Sequence, residues 1–230
     1  MSFFFVESAL SLDIPAEIGG EVAHHIGTVR RVKKGEEVEL QDPSGARFVA
    51  RIDEIARRSI TVTPLRPAPI PASPSRAVTL LQAYIAEQKL NLILQKATEL
   101  GAARIIVWQA DHSPHEISPE RLAHKHERFE AIMRNACEQS GRPDVPILEF
   151  SDSLEDGLAL IADETPVFLN ADGSGVFPTG PLALVVGPEG GFSDAEDMMR
   201  AARNCPTISI GTYTLRAETA AIAGLARALP

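Results

Sequence analysis

Hydrophobic and polar positions change rhythm about a third of the way along the chain. Before residue 68 the apolar positions come in short runs, over residues 3–6, 37–41, 47–52 and 59–63, and these predict strands. The turn Asp42-Pro43-Ser44-Gly45 between the second and third is a hairpin signal, because Pro presets φ and Gly permits a left-handed residue. Strands this short and closely spaced predict a small β-barrel. Pro64, Pro67, Pro69, Pro71 and Pro74 then follow in quick succession. A locked φ and a missing N–H bar such a segment from a helix or a central strand, which predicts a linker. The expected domains are residues 1–70 and 75–230.

After the linker the pattern lengthens into α/β alternation. Strands are expected over residues 78–83, 104–108, 146–150, 166–169, 182–186 and 207–210. Leu90, Ile93, Leu94, Ala97 and Leu100 form a helical stripe that Gly101 ends. Ser118-Pro119-Glu120 is a helix start, and Leu122, Phe129, Ile132, Met133 and Ala136 line one face beyond it. A shorter helix is expected over residues 154–162. This alternation implies a mostly parallel sheet covered by helices.

The last third carries two strand–turn–helix units in succession. Gly187-Pro188-Glu189-Gly190-Gly191-Phe192 follows Leu182-Ala183-Leu184-Val185-Val186, and Ser193 with Glu196 spells a capping box. Gly211-Thr212-Tyr213-Thr214-Leu215-Arg216 follows Thr207-Ile208-Ser209-Ile210 and leads into an alanine-rich helix. Loops at strand carboxyl ends are where open α/β sheets make ligand crevices. These two expose backbone N–H and C=O groups with little side-chain cover, which suits a flat polar ligand such as adenine. The first turn is neither a phosphate loop, which ends in Gly-Lys-Ser/Thr, nor a dinucleotide fingerprint. Arg216 and Glu218 stand where the second loop enters its helix, either as a helix-terminal ion pair or as a charged pair at the crevice.

Charge changes the picture locally. The formal net charge is -9, which argues against a nucleic-acid binder, but residues 1–75 hold nine Lys/Arg against ten Asp/Glu. Within them Arg30, Arg31, Lys33 and Lys34 put four positive charges in five residues. Screening confines each charge to about 8–10 Å at physiological salt, so such a patch can meet phosphates on an acidic molecule; it can equally be a solvated loop. Glu138-Gln139-Ser140-Gly141-Arg142 closes a helix and turns at glycine. Capping accounts for Gly141 and Arg142 but leaves Gln139 and Ser140 as candidate contacts for a base or phosphate.

Other chemistries find little support. Cys137 and Cys205 are too few for a disulfide scaffold. His124 and His126, two apart on a helix, diverge by about 200° and cannot share a metal. Asp111, His112, His115 and Glu116 cluster in a proline-containing loop without a cysteine pattern, so no metal is expected. No apolar run is long enough to span a bilayer, and the start lacks a signal peptide's basic region, so a cytoplasmic location is expected.

Taken together these residues resemble one family, the RsmE-type rRNA methyltransferases of the SPOUT superfamily. The matching stretches are His24-His25 with residues 29–36, then residues 94–101, 138–142, 187–193 and 215–221, in family order along nearly the whole chain. The resemblance implies a smaller N-terminal PUA-like β-barrel that binds RNA and an α/β SPOUT domain with a trefoil knot. It implies S-adenosylmethionine as cofactor, held by Leu169, Val186, Gly187, Pro188, Glu189, Gly190, Gly191, Ile210, Gly211, Leu215 and Arg216. It further implies a homodimer that methylates N3 of a uridine in the 16S rRNA of the small ribosomal subunit. The expected RNA contacts are Arg30, Arg31, Lys33, Lys34, Gln139, Ser140 and Arg142. The chain departs from the family's usual pattern at Asp111-His112-Ser113, at Asn170-Ala171 and at Thr212-Tyr213-Thr214, where Pro-Arg-Ile is common.

Uridine N3 is largely protonated at neutral pH, so methylation there needs stabilisation of its anion or removal of its proton. Arg216 is the first candidate for the stabilising cation and Glu218 the candidate base. Two other functions are consistent with the pattern: a SPOUT methyltransferase for another RNA site, and a non-catalytic RNA-binding protein on the same fold.

Overall fold

The structure is a computed structural model that describes residues 3–115 and 119–229. The expected helix start at Ser118, the Glu116 carboxylate and the Met1-Ser2 start lie outside the described residues. The chain divides into two compact units, residues 1–72 with Cys137–Asp144, and Ser73–Ala136 with Val145–Pro230.

The first unit is a curled five-stranded sheet. Its strands are β1 (Phe3–Phe5), β2 (Ala16–Gly19), β3 (Glu37–Gln41), β4 (Arg47–Ile55) and β5 (Ser59–Pro67), in the order β1-β3-β4-β5-β2. β1 pairs parallel with β3, and the other pairs are antiparallel. Register shifts between Val49 and Ala50 and between Ile52 and Glu54 bend the long β4–β5 ladder, as bulges do. Alternation explains the strands: Val38 and Leu40 point into a core with Phe4, Ile18, Ile26, Ala50, Ile52, Ile60 and Val62.

Two sequence expectations change here. Pro64 and Pro67 belong to β5 and not to a linker. β2 pairs only with residues 59–62; beyond Val62, among the described residues, no strand flanks β5 on that side, and Asp13 donates its N–H to the Pro64 carbonyl, so the missing proline N–H costs no ladder bond there. β2 itself escaped prediction because Ala16-Glu17-Ile18-Gly19 offers one apolar β-former in four residues. It runs into a short helix, α1 (Gly20–His24), and then a π-helical turn over His25–Val29, closed by the Arg30 N–H donating to the His25 carbonyl at 2.9 Å.

The second unit is a six-stranded parallel sheet of β6 (Val78–Ala83), β7 (Arg104–Trp108), β8 (Ile147–Ser151), β9 (Thr165–Leu169), β10 (Leu182–Val186) and β11 (Thr207–Ile208). The spatial order is β11-β9-β10-β6-β7-β8. Central β6 and β10 are buried throughout, which is why they read as unbroken apolar runs. Val78, Leu80, Leu182 and Leu184 face one core together with helices α2 (Glu87–Leu100) and α6 (Ala217–Ala228). Leu81, Ala83, Ala183 and Val185 face the other, with Leu154 and Leu158 of α4 (Leu154–Ala159). The remaining helices are α3 (Pro119–Ser140) and α5 (Asp194–Ala202). Gly101 ends α2 at φ 100°, the left-handed cap that its position at the end of the stripe predicts.

β11 is shorter than the expected residues 207–210, and it is held from two sides. It pairs parallel with β9, and across its other edge Gly175 N–H donates to the Thr207 carbonyl and Ser209 N–H to the Gly173 carbonyl. Gly173 approaches so closely that a Cβ there would stand 2.4 Å from the Ile208 carbonyl carbon.

Candidate functional site

The sheet runs from β6 through β7 to β8 in one direction and places β10, β9 and β11 on the other side. Such a switch leaves room for a ligand beyond the strands' carboxyl ends. A cavity of about 770 Å³ lies there, at the ends of β9, β10 and β11. Three loops wall it: residues 169–171, residues 186–192 and residues 208–217.

Each loop has a local cause. Gly187 lies flat against Phe192, whose ring would be 3.1 Å from a Cβ at that position; Phe192 in turn stacks on Trp108 and packs against Phe168. Gly191 has φ 77°, and a Cβ built on it meets no atom within 4 Å, so this part of the turn presents open backbone to the cavity. The capping box then starts α5. Ser193 Oγ accepts from the Glu196 N–H at 3.2 Å, and the Ser193 N–H donates to Glu196 Oε2 at 2.7 Å. Asp111 joins it by accepting from the Ser193 hydroxyl at 2.6 Å and donating its N–H to Glu196. In the loop after β11, Arg227 of α6 reaches back to donate to the Ser209 and Ile210 carbonyls.

Charge at the cavity is mostly internally matched. Lys89 of α2 pairs with Glu189 of the glycine turn, and Asp197 pairs with Arg200 at 3.0 Å. Among the described residues the guanidinium of Arg216, which lines the cavity at the N-cap of α6, makes no hydrogen bond or ion pair. Burial pushes the Cys205 thiol upward, which keeps it protonated and unreactive.

Leu169, Val186, Gly187, Pro188, Glu189, Gly191, Ile210, Gly211, Leu215 and Arg216 all line this one cavity. Gly190 does not; a Cβ there would stand 2.9 Å from the His112 carbonyl oxygen, so the loop after β7 explains this glycine. Glu218 does not line it either. Its Oε2 is buried without a hydrogen-bond partner in the first turn of α6, and no pair with Arg216 forms. Lys89 and Asp197 line the cavity and were not foreseen, while Tyr213 lines it from within the second expected loop. Lys89 arrives from a distant helix, and Asp197 is one turn beyond the capping box, so neither has a local signal in the glycine motifs.

In the first unit Arg30, Arg31, Lys33 and Lys34 are all exposed, directly after the π-helical turn. The stretch after Cys137 is bound into the same unit. Glu138 accepts from the Phe5 N–H at 3.3 Å, and the Gly141 carbonyl accepts from Arg47, which also donates twice to Gln41. Ser140 does have a terminal duty, contrary to the sequence reading: its hydroxyl donates to the Cys137 carbonyl. The Arg142 side chain is only 11% exposed and pairs with Asp144 at 2.7 Å. Among the described residues no group of three or more His, Cys, Asp or Glu side chains is placed to hold a metal, and no helix is long and apolar enough to cross a membrane.

The comparisons with known proteins agree with this geometry. An RNA methyltransferase domain family matches residues 71–229, and an RNA methyltransferase PUA domain family matches residues 18–65. The ribosomal RNA small subunit methyltransferase E of Rickettsia conorii is 30% identical over 237 residues, covering 97% of this chain and 93% of that protein. Its Bacillus subtilis counterpart is 27% identical over 227 residues, with 90% and 87% covered. A methyltransferase structure from Legionella pneumophila, in complex with the bound cofactor SAM, superposes with a TM-score of 0.87 at 28% identity, covering 96% of this chain and 94% of that one. The ribosomal RNA small subunit methyltransferase E of Neisseria gonorrhoeae, bound to S-adenosyl methionine, gives 0.86 at 25% identity, covering 98% and 95%. Both matches run through the α/β unit that carries the cavity, and the chain belongs to the ribosomal RNA small subunit methyltransferase E family of RNA methyltransferases.

Proposed function

We propose that this protein transfers a methyl group from S-adenosylmethionine to N3 of a uridine in 16S rRNA of the small ribosomal subunit. The observation that carries the reading is the cavity at the ends of β9, β10 and β11, framed by two backbone-rich turns with an unpaired Arg216 on its wall. Its volume suits a drug-sized ligand, and Leu169, Val186, Ile210 and Leu215 supply apolar surface beside open backbone at Gly191. These residues, with Pro188, Glu189 and Arg216, would hold the cofactor; Gly190 supports the turn from behind. When bound, the cofactor supplies an electrophilic methyl group on a sulfonium.

The chain's own residues supply placement and electrostatics. The turns fix the angle of approach that an in-line displacement needs. Arg216 offers a fixed cation to the uracil anion as N3 gives up its proton to solvent water, and the neutral base gains much less from it, so the barrier falls. Glu218 stands off the cavity wall, where its carboxylate complements the positive N-terminus of α6; a general-base role for it is not part of this reading. The exposed Arg30, Arg31, Lys33 and Lys34 would meet phosphates, with Gln139 and Ser140 as further contacts and Arg142 tied to Asp144. A homodimer, a cytoplasmic setting, the trefoil knot and a division of labour between residues 1–70 and 75–230 belong to the same reading, supported by the family.

Calorimetric titration with S-adenosylmethionine and single-turnover methylation of unmodified small ribosomal subunits test it. Arg216→Lys keeps the charge but loses the planar fork, so it is expected to bind RNA normally and to slow methyl transfer by about a hundredfold or more. A parental protein that binds S-adenosylmethionine but methylates another RNA would redirect the target. One that binds RNA and no cofactor would make it a non-catalytic binder.

A further inference from the structure

Tyr213 stands out on the wall of the cavity. The residue lines the cavity yet is 83% exposed, among the most exposed large hydrophobic residues described. Among the described residues its hydroxyl makes no hydrogen bond and its ring meets no other ring or cation, so nothing in the fold requires an aromatic there. The loop is anchored on either side of it. Arg227 holds the Ser209 and Ile210 carbonyls, and Arg216 begins α6, so the ring is carried on a short span between two fixed points.

We propose that Tyr213 is the stacking platform for the unpaired nucleobase that enters the cavity mouth. This rests on the functional reading above and adds a residue that positions the substrate. A base that is to be methylated must leave its stack, and the lost stacking has to be recovered at the enzyme. Aromatic side chains recover it without regard to sequence, because every base offers a π-face. The charges at the mouth favour a base over a phosphate as the occupant. Lys89 is neutralised by Glu189, and the one unpaired cation on the cavity wall among the described residues, Arg216, is three residues from Tyr213 on the same loop. A ring face and a free guanidinium on one loop suit a flat group that acquires negative charge in its plane.

The test compares Tyr213→Leu, which keeps apolar bulk and loses the π-face, with Tyr213→Phe, which keeps the face and loses the hydroxyl. The readouts are KM and kcat on unmodified small ribosomal subunits, S-adenosylmethionine affinity by calorimetry, the salt slope of RNA binding, and mass in solution. Tyr213→Leu is expected to raise KM by about tenfold or more, the scale of one lost base stack, with a smaller change in kcat. Tyr213→Phe should restore the parental KM. Cofactor affinity and salt slope should be the same in all three proteins, since neither a cofactor contact nor a phosphate contact is removed. A parental KM in Tyr213→Leu overturns the proposal. A fall in cofactor affinity that matches the rise in KM overturns it by placing the ring over the cofactor. A change in mass overturns it by placing the ring between two copies of the chain. Failure of the parental protein itself to bind S-adenosylmethionine would be the failure of the functional reading, and is distinguishable because it precedes any mutation.

Discussion

Gly224 shows how much one missing methyl group controls. It lies in the interior of α6, and a Cβ there would stand 2.5 Å from Cδ1 of Leu169 and 3.4 Å from Cδ1 of Leu184. Alanine at a helical glycine normally gains about 1 kcal/mol in propensity, and overpacking costs about 1–3 kcal/mol. Gly224→Ala should therefore leave stability within about 2 kcal/mol of the parent while pushing Leu169 into the cavity it lines. We expect urea melts to move little and S-adenosylmethionine affinity to fall about tenfold, equivalent to about 1.4 kcal/mol. Nothing in the sequence marks Gly224, because its role depends on which strand passes beneath it. Gly187 and Gly191 were legible for the opposite reason, since their turn follows a strand directly. Asp42 was legible as a turn residue but not as a pH-sensitive one. Burial pushes its carboxyl up, and hydrogen bonds from the Ser44 hydroxyl and the Leu10 and Ser44 N–H groups outweigh that, so its pKa falls below the ordinary value. A depressed carboxylate stabilises the fold fully above its unfolded value, about 3.9, and loses that contribution as pH falls through the folded value. Asp42→Asn should cost about 1–2 kcal/mol at pH 7, and its melting curve should begin to approach the parent's only as pH falls below about 4, converging once pH has passed through the lowered folded value.

Elements were legible where one signal dominated. The capping box at Ser193 and Glu196, the stripe of α2 with Gly101 behind it, and the buried runs of β6 and β10 have the bounds that pattern and caps imply. The proline-bearing end of β5 was not legible, because whether a strand tolerates proline depends on who occupies its flank, and that partner, β2, has almost no pattern of its own. The same holds for the 138–142 stretch, whose partners Phe5 and Arg47 come from remote strands. For α5 the structure adds a third member to a two-residue motif. Ser193→Ala removes the N-cap and also strands Asp111, so thermal denaturation should report a loss of about 2 kcal/mol, the upper end for a cap. A loss near 0.5 kcal/mol would show that the Asp111 contact contributes little.

At the scale of the whole molecule, a net charge of -9 hides a basic segment on the surface of the first unit. Replacing Arg31, Lys33 and Lys34 by alanine should flatten the salt dependence of RNA binding by up to about three phosphate contacts, with S-adenosylmethionine affinity unchanged; an unmoved slope would make the segment a solvated loop. Architecture has a consequence in time as well. β11 has two neighbours, β9 on one edge and the residues around Gly173 on the other, and it contributes the floor of the third cavity loop. Two residues of strand cannot hold themselves in place, so β11 docks only after both neighbours are set. The contacts that close it span from Gly173 to Ser209, and such non-local closures are slow. During refolding, burial of Trp108 at the end of β7 should therefore run ahead of recovered cofactor binding, and the gap between the two rates is the waiting time of that clasp.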